Sequence, residues 1–174
     1  MAPKDILLLL AGGDRRSIGC ANKVATMVAK EPRLFPQLIA GLWSEETVVR
    51  MRAADATEKV TRISPRILDV YKEELLGLLA ETTDKELRWH LAVIVPRLAL
   101  NAKERQRAAA FLQQYLEDPS SLVKTFALEG LADLSMNDAS LRRQVLEILH
   151  ESARNGTAAM RARSRKLLAL LENG

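Results

Sequence analysis

The chain has 174 residues, 48% hydrophobic and 28% charged, which is typical of one soluble globular domain. Cys20 is the only cysteine, which excludes an intrachain disulfide and favours a reducing, cytoplasmic setting. The net charge of +4 favours acidic partners only weakly, because the basic excess lies at the two ends of the chain. Leu and Ala dominate the apolar content, while only 4% of residues are aromatic, so the composition predicts an all-helical protein.

The first predicted elements form a short leading pair of helices at residues 5–30. The apolar run at 6–11 is too short to cross a bilayer and lacks a convincing cleavage site, so we predict neither a membrane anchor nor a signal peptide. Helical spacing follows at Ile18, Ala21, Val24 and Val28. The pattern is weaker here than further along the chain, and we interpret 5–30 as a degenerate capping pair of a repeat array.

The remaining chain repeats with a period of about 37 residues. In the first helix of each repeat the matching columns are Leu34, Tyr71, Ala108 and Val145; Leu38, Leu75, Leu112 and Leu149; and Leu42, Leu79, Leu116 and Ala153. In the second helix they are Val49, Leu87, Val123 and Met160; Ala53, Leu91, Ala127 and Ser164; and Val60, Leu98, Leu134 and Leu171. In the first helices these positions lie four apart and share one helix face. The predicted repeats span 32–63, 64–100, 101–136 and 137–172.

Capping residues mark the predicted helix starts. Asp84 and Thr157 stand where an N-cap is required. Two further starts place a capping residue before a proline, which suits the first helical position. These are Ser64-Pro65 and Asp118-Pro119. Pro96 falls inside a predicted helix from about 85 to 100 and should kink it, because proline removes a backbone hydrogen bond.

A recurring motif at the start of each second helix indicates a family. The motif Val-Arg-x-x-Ala-Ala is closest in VRMRAADA, and looser versions follow at LRWHLA (87–92), VKTFAL (123–128) and MRARSR (160–165). With the period and the paired helices, residues 32–172 resemble HEAT repeats. The resemblance implies a single α-solenoid domain over residues 1–174, an α-α superhelix of about five helix pairs. It also implies a binding scaffold whose second helices line a concave surface, with no particular partner indicated.

A basic residue recurs near the start of each second helix. The column is Arg50, Arg88, Lys124 and Arg161, and four positions earlier stand Glu46, Asp84, Ser120 and Thr157. We interpret this column as a structural ladder of cap and ion-pair contacts between repeats. The alternative is a row of cations that binds phosphate or carboxylate groups.

Outward-facing columns of the second helices supply the candidate contact residues. Their mixed charges, interrupted by apolar groups, suit a protein partner better than a uniform phosphate track. Trp and Arg are enriched at binding hot spots, although packing between repeats is the more ordinary role for Trp89. We predict partner contacts at Arg52, Trp89, His90, Phe126 and Arg163.

Two alternatives stay open. Nucleic acid could bind the basic ends, through Arg15 and Arg16 and through the cluster MRARSRK, whose basic residues are Arg161, Arg163, Arg165 and Lys166. Bacterial alkylpurine DNA glycosylases resemble this chain in having HEAT-like repeats, and they place a carboxylate near aromatic residues. They are a minor alternative here, because the residue one turn after Trp89 is Val93 and not an acid. The histidines, the cysteine and the glycines match no zinc site or phosphate loop. We therefore expect a non-catalytic protein without metal or cofactor.

Overall fold

The computed structural model describes residues 5–14 and 16–173. Within these ranges the chain is all-helical, with ten α-helices, three stretches of 3-10 helix and no β-strand. The helices are α1 (Ile6–Leu10), α2 (Ala21–Lys30), α3 (Phe35–Gly41), α4 (Thr47–Ile63), α5 (Lys72–Glu81), α6 (Lys85–Ile94), α7 (Ala102–Tyr115), α8 (Ser121–Ser135), α9 (Ala139–Asn155) and α10 (Ala158–Glu172). The all-α class is confirmed, while the superhelix and its period stay predictions.

The chain divides into two compact units, the first ending at Tyr71 and the second beginning at Lys72. In the first unit α4 is the central helix, because α1, α2 and α3 all pack against it. An apolar stripe on α2, with i, i+3, i+4 spacing, supplies part of the buried interior. The stripe consists of Ala21, Val24, Ala25 and Val28.

In the second unit α8 is the central helix. It packs against α7 and α9, and it also packs against α6 and α10, so that α6, α8 and α10 form a row. Gly130 permits the close approach of α6 and α8, since a Cβ atom at this position would lie 2.2 Å from the backbone oxygen of Ala92. Leu75, Leu112 and Leu149, three members of one repeating column, are fully buried in this unit.

Several helix boundaries follow the predicted caps. The Asp84 carboxylate accepts from the amide of Glu86 at 2.9 Å, and Thr157 Oγ1 accepts from Met160 N at 3.3 Å. At α7, Asn101 and Glu104 form a reciprocal capping box. Such bonds satisfy amides that the first helical turn leaves without partners.

Three boundaries differ from prediction. The N-cap of α8 is Ser120, because Asp118 turns back to accept from the Ser120 amide at 2.8 Å and Pro119 precedes the helix. Pro65 opens a 3-10 segment, not an α-helix. Pro96 ends α6 at Ile94, after which the chain forms a 3-10 turn and becomes extended at Leu98. The predicted kinked helix to residue 100 is therefore wrong at its C-terminal end.

Candidate functional site

Arg52 lies inside the first unit, with only 2% of its surface exposed. Its guanidinium donates to four backbone oxygens, those of Leu10 at 2.8 Å, Gly12 at 2.6 Å, Asp14 at 3.0 Å and Ser17 at 3.1 Å. These contacts tie the loop between α1 and α2 to α4. They correct the expectation that Arg52 faces outward, because a side chain enclosed by this loop is not available to a partner.

Glycines shape this loop around the guanidinium. Gly12, Gly13 and Gly19 have positive φ angles of 73°, 76° and 50°. At Gly19 a Cβ atom would lie 2.7 Å from Cζ of Arg52, so glycine is required both for the backbone conformation and for space. The loop and the buried arginine therefore form one structural unit.

Arginines near the starts of several helices donate to carbonyl groups of the preceding loop. The pairs are Arg50 with Ser44 at 2.6 Å, Arg88 with Thr82 at 2.8 Å, Arg105 with Leu100 at 3.2 Å, Arg142 with Met136 at 2.6 Å and Arg161 with Gly156 at 2.8 Å. Arg88 also reaches Asp118, before α8, at 2.6 Å, and Arg105 reaches the N-cap Asp138 of α9 at 3.4 Å. These bonds support a structural role for the repeated arginine.

Three predicted contact residues come together in the second unit. Trp89 of α6, Phe126 of α8 and Arg163 of α10 are spaced 37 residues apart and lie on adjacent helices. The rings of Trp89 and Phe126 stack with centroids 5.0 Å apart and an interplanar angle of 30°. Arg163 lies over the Phe126 ring, with Cζ 5.5 Å from its centroid. All three side chains are half-buried, so part of each is accessible.

Two carboxylates orient this stack. Trp89 Nε1 donates to Glu86 Oε2 at 3.0 Å, and Arg163 forms an ion pair with Glu129. The contact residues predicted from the sequence included neither Glu129 nor Glu86, although helical spacing places Glu86 one turn before Trp89. Both carboxylates lie beside the stacked groups, and both are engaged in holding them.

His90 is not part of the accessible surface. It is 2% exposed, its Nδ1 lies 2.7 Å from the backbone oxygen of Glu86, and its ring stacks on that of Trp89. The expectation that His90 faces outward is therefore corrected. Its position supports the Trp89 ring from the protein side.

Leu122 extends the accessible part of the stack. It is 46% exposed and stands one helical turn before Phe126 on α8. Sequence reasoning missed it because a single exposed leucine is common on soluble proteins. We call the surface formed by Trp89, Leu122, Phe126 and Arg163 the aromatic face.

The basic residues predicted for nucleic-acid contact differ in accessibility. Arg161 is half-buried and bonded to Gly156, whereas Arg163 is half-buried and paired with Glu129. Arg165 and Lys166 are exposed. Two of the four cations are thus engaged by the protein itself.

At the other end of the chain, Arg15 lies outside the described residues. Arg16 is exposed, and its Nε is 3.5 Å from the Asp14 carboxylate. Nucleic-acid binding through the basic ends stays a prediction.

No protein-family model matches the sequence, and no curated protein matches it significantly. In residues 5–14 and 16–173, no cluster of three or more His, Cys, Asp or Glu residues could hold a metal ion. In the same part of the chain, no helix is both long and apolar enough to cross a membrane. The fold and the site define an all-α protein whose second unit exposes an aromatic face on a row of three helices.

Proposed function

We propose that this chain is a non-catalytic binding module of HEAT-like helix pairs, and that its aromatic face contacts a protein partner. The stack of Trp89, Phe126 and Arg163 across three adjacent helices carries the proposal. Trp and Arg are the residue types that dominate binding energy at protein interfaces. In HEAT-like arrays the row of second helices is the usual binding surface, and the packing of α8 against both α6 and α10 supports this assignment.

Packing between helices accounts for only part of this arrangement. Contact between α6 and α8 explains why Trp89 and Phe126 touch, but each residue is also partly exposed. Leu122 adds an apolar side chain beside them that is 46% exposed. A contiguous apolar patch with charged residues at its edge is typical of a protein interaction site.

The charges at the face also favour a protein over nucleic acid. Arg163 is paired with Glu129, and Glu86 lies beside Trp89. A surface that binds the phosphate backbone would instead present cations without nearby carboxylates. Carboxylates beside the aromatic rings would repel phosphate groups.

Two matched substitutions on α8 and its C-cap test the proposal. Leu122 and Met136 are exposed to similar extents, 46% and 42%, but only Leu122 lies on the aromatic face. We expect Leu122→Gln to abolish capture of the native partner from lysate and Met136→Gln to preserve it. Because both side chains are exposed, neither change should unfold the protein.

Capture should be repeated after nuclease treatment. Partners that survive nuclease and depend on Leu122 support the proposal. Partners that vanish with nuclease would transfer the binding role to the basic ends, and equal capture by both variants would rule out the aromatic face. Base release from methylated DNA by the purified protein would contradict a non-catalytic role.

A further inference from the structure

A small polar cleft lies near the C-terminal end of α8. It has a volume of about 120 Å³ and is lined by Pro96, Leu98, Leu100, Arg105, Asp133, Leu134 and Asn137. Asp133 is the only acidic residue of this lining. This volume is sufficient for one ammonium or guanidinium group.

The cation that lines the cleft is already engaged. Arg105 donates to the backbone oxygen of Leu100 at 3.2 Å and pairs with Asp138 at 3.4 Å. In contrast, no Lys, Arg or His nitrogen in residues 5–14 and 16–173 lies within ion-pair distance of the Asp133 carboxylate. The cleft therefore presents an acidic group whose charge is not matched by a direct partner.

The surroundings of Asp133 disfavour its charge. Partial burial and repulsion from Glu129, one turn earlier on α8, raise the pKa of Asp133 above its ordinary value, and Arg97 opposes this rise. A cation brought into the cleft would offset both effects. The carboxylate is partly exposed, so an incoming side chain can reach it.

The cleft and the aromatic face lie along one helix. Asp133 follows Phe126 by seven residues, which corresponds to about 10 Å along α8. Glu129 stands between them and is held by Arg163. A partner segment aligned with α8 would therefore meet an apolar surface first and the Asp133 carboxylate of the cleft about two helical turns later.

We propose that the partner segment carries an apolar side chain for the aromatic face and a lysine or arginine, about 10 Å away, for the Asp133 cleft. In a helical segment the two residues would be seven positions apart, and in an extended segment three. Charge complementarity selects a basic side chain because the acidic group of the cleft lacks a direct ion pair. This inference rests on the proposed function of the aromatic face.

A displayed library of random 16-residue peptides, selected on the immobilised full-length chain, supplies the probe. We expect the selected peptides to pair an apolar residue with Lys or Arg at one of these two spacings. Affinities are then measured by fluorescence polarisation for the parent, Leu122→Gln, Asp133→Asn and Glu147→Gln. Glu147 is an exposed acidic residue of α9 and controls for the loss of one negative charge.

We expect Asp133→Asn to weaken binding about tenfold and Glu147→Gln to change it less than twofold, because only Asp133 meets the basic side chain. Replacing that peptide residue by Gln should weaken binding to the parent equally and have little further effect on Asp133→Asn. Peptides that require Leu122 but lack a basic residue, or bind Asp133→Asn normally, would overturn this inference and leave the proposed function intact. Selection of no peptide that requires Leu122 would overturn both.

Discussion

Replacement of Arg52 by methionine tests how the first unit holds its N-terminal loop. The parent guanidinium donates to four carbonyl groups between Leu10 and Ser17. Methionine fills a similar volume without any donor. We expect the loop between α1 and α2 to open, while the helices of the second unit keep their stability.

The magnitude follows from these bonds. A hydrogen bond to a charged group contributes about 1.5 kcal/mol at the lower end of its usual range, so four would contribute roughly 6 kcal/mol. Three of the four Arg52 contacts are only partly buried, and water can replace the lost donor there. We therefore expect Arg52→Met to lower the free energy of opening the loop by about 3 kcal/mol.

Trypsin provides the assay, because the exposed Arg16 lies in this loop and the Arg52 bonds should oppose the extended backbone that a protease requires. If opening is fast relative to cleavage, the rate follows the population of the open loop, so about 3 kcal/mol corresponds to roughly 150-fold faster cleavage. Arg52→Lys should give an intermediate rate, since an ammonium retains the charge but lacks the planar fork of donors. Mass spectrometry would follow the appearance of the peptide that ends at Arg16.

The control is Arg62→Met on the same helix. Arg62 is 69% exposed at its side chain and pairs with Glu58 one turn earlier on α4. It stands ten residues after Arg52, about 15 Å along the helix, so its loss should change the cleavage rate in the loop by less than about threefold. Equal cleavage of the parent and Arg52→Met would refute the reasoning. It would mean that the four bonds do not hold the loop in solution.

Three further predictions concern the second unit. Gly130→Ala should destabilise this unit by about 3 kcal/mol in urea unfolding, because the new Cβ would overlap a backbone oxygen of α6. The control is Gly77→Ala, whose new Cβ would meet open space and should stabilise the unit by about 0.5 kcal/mol. Leu112→Ala, at a fully buried position, should cost about 2 to 5 kcal/mol, and a melting temperature equal to that of the parent would contradict the proposed repeat register. Asp133→Asn should raise the melting temperature at pH 7, because the folded state raises the pKa of Asp133 and so disfavours its charge. This gain in melting temperature should shrink as the pH falls towards 3.8, because the Asp133 carboxyl of the parent then becomes neutral like the amide of Asn. A gain that does not change with pH would exclude an electrostatic cause.

Local chemistry was sufficient to predict the helices and several of their ends. Asp84 and Thr157 cap the helices for which they were predicted, because an N-cap bond spans only two or three residues. The column that contains Leu75 and Leu112 was recognisable as core because its spacing keeps apolar side chains on one helix face. Asp118 shows the limit of such reasoning, since its carboxylate turns to Arg88 and leaves Ser120 as the cap.

Accessibility, by contrast, was decided by the tertiary structure. Arg52 and Trp89 lie on the second helices of neighbouring predicted repeats, and both were predicted to contact a partner. The loop between α1 and α2 encloses Arg52, whereas Trp89 meets Phe126 and stays half-exposed. Sequence periodicity determines which helix face a residue occupies. Which other part of the chain covers that face depends on long-range packing, and the period alone does not encode it.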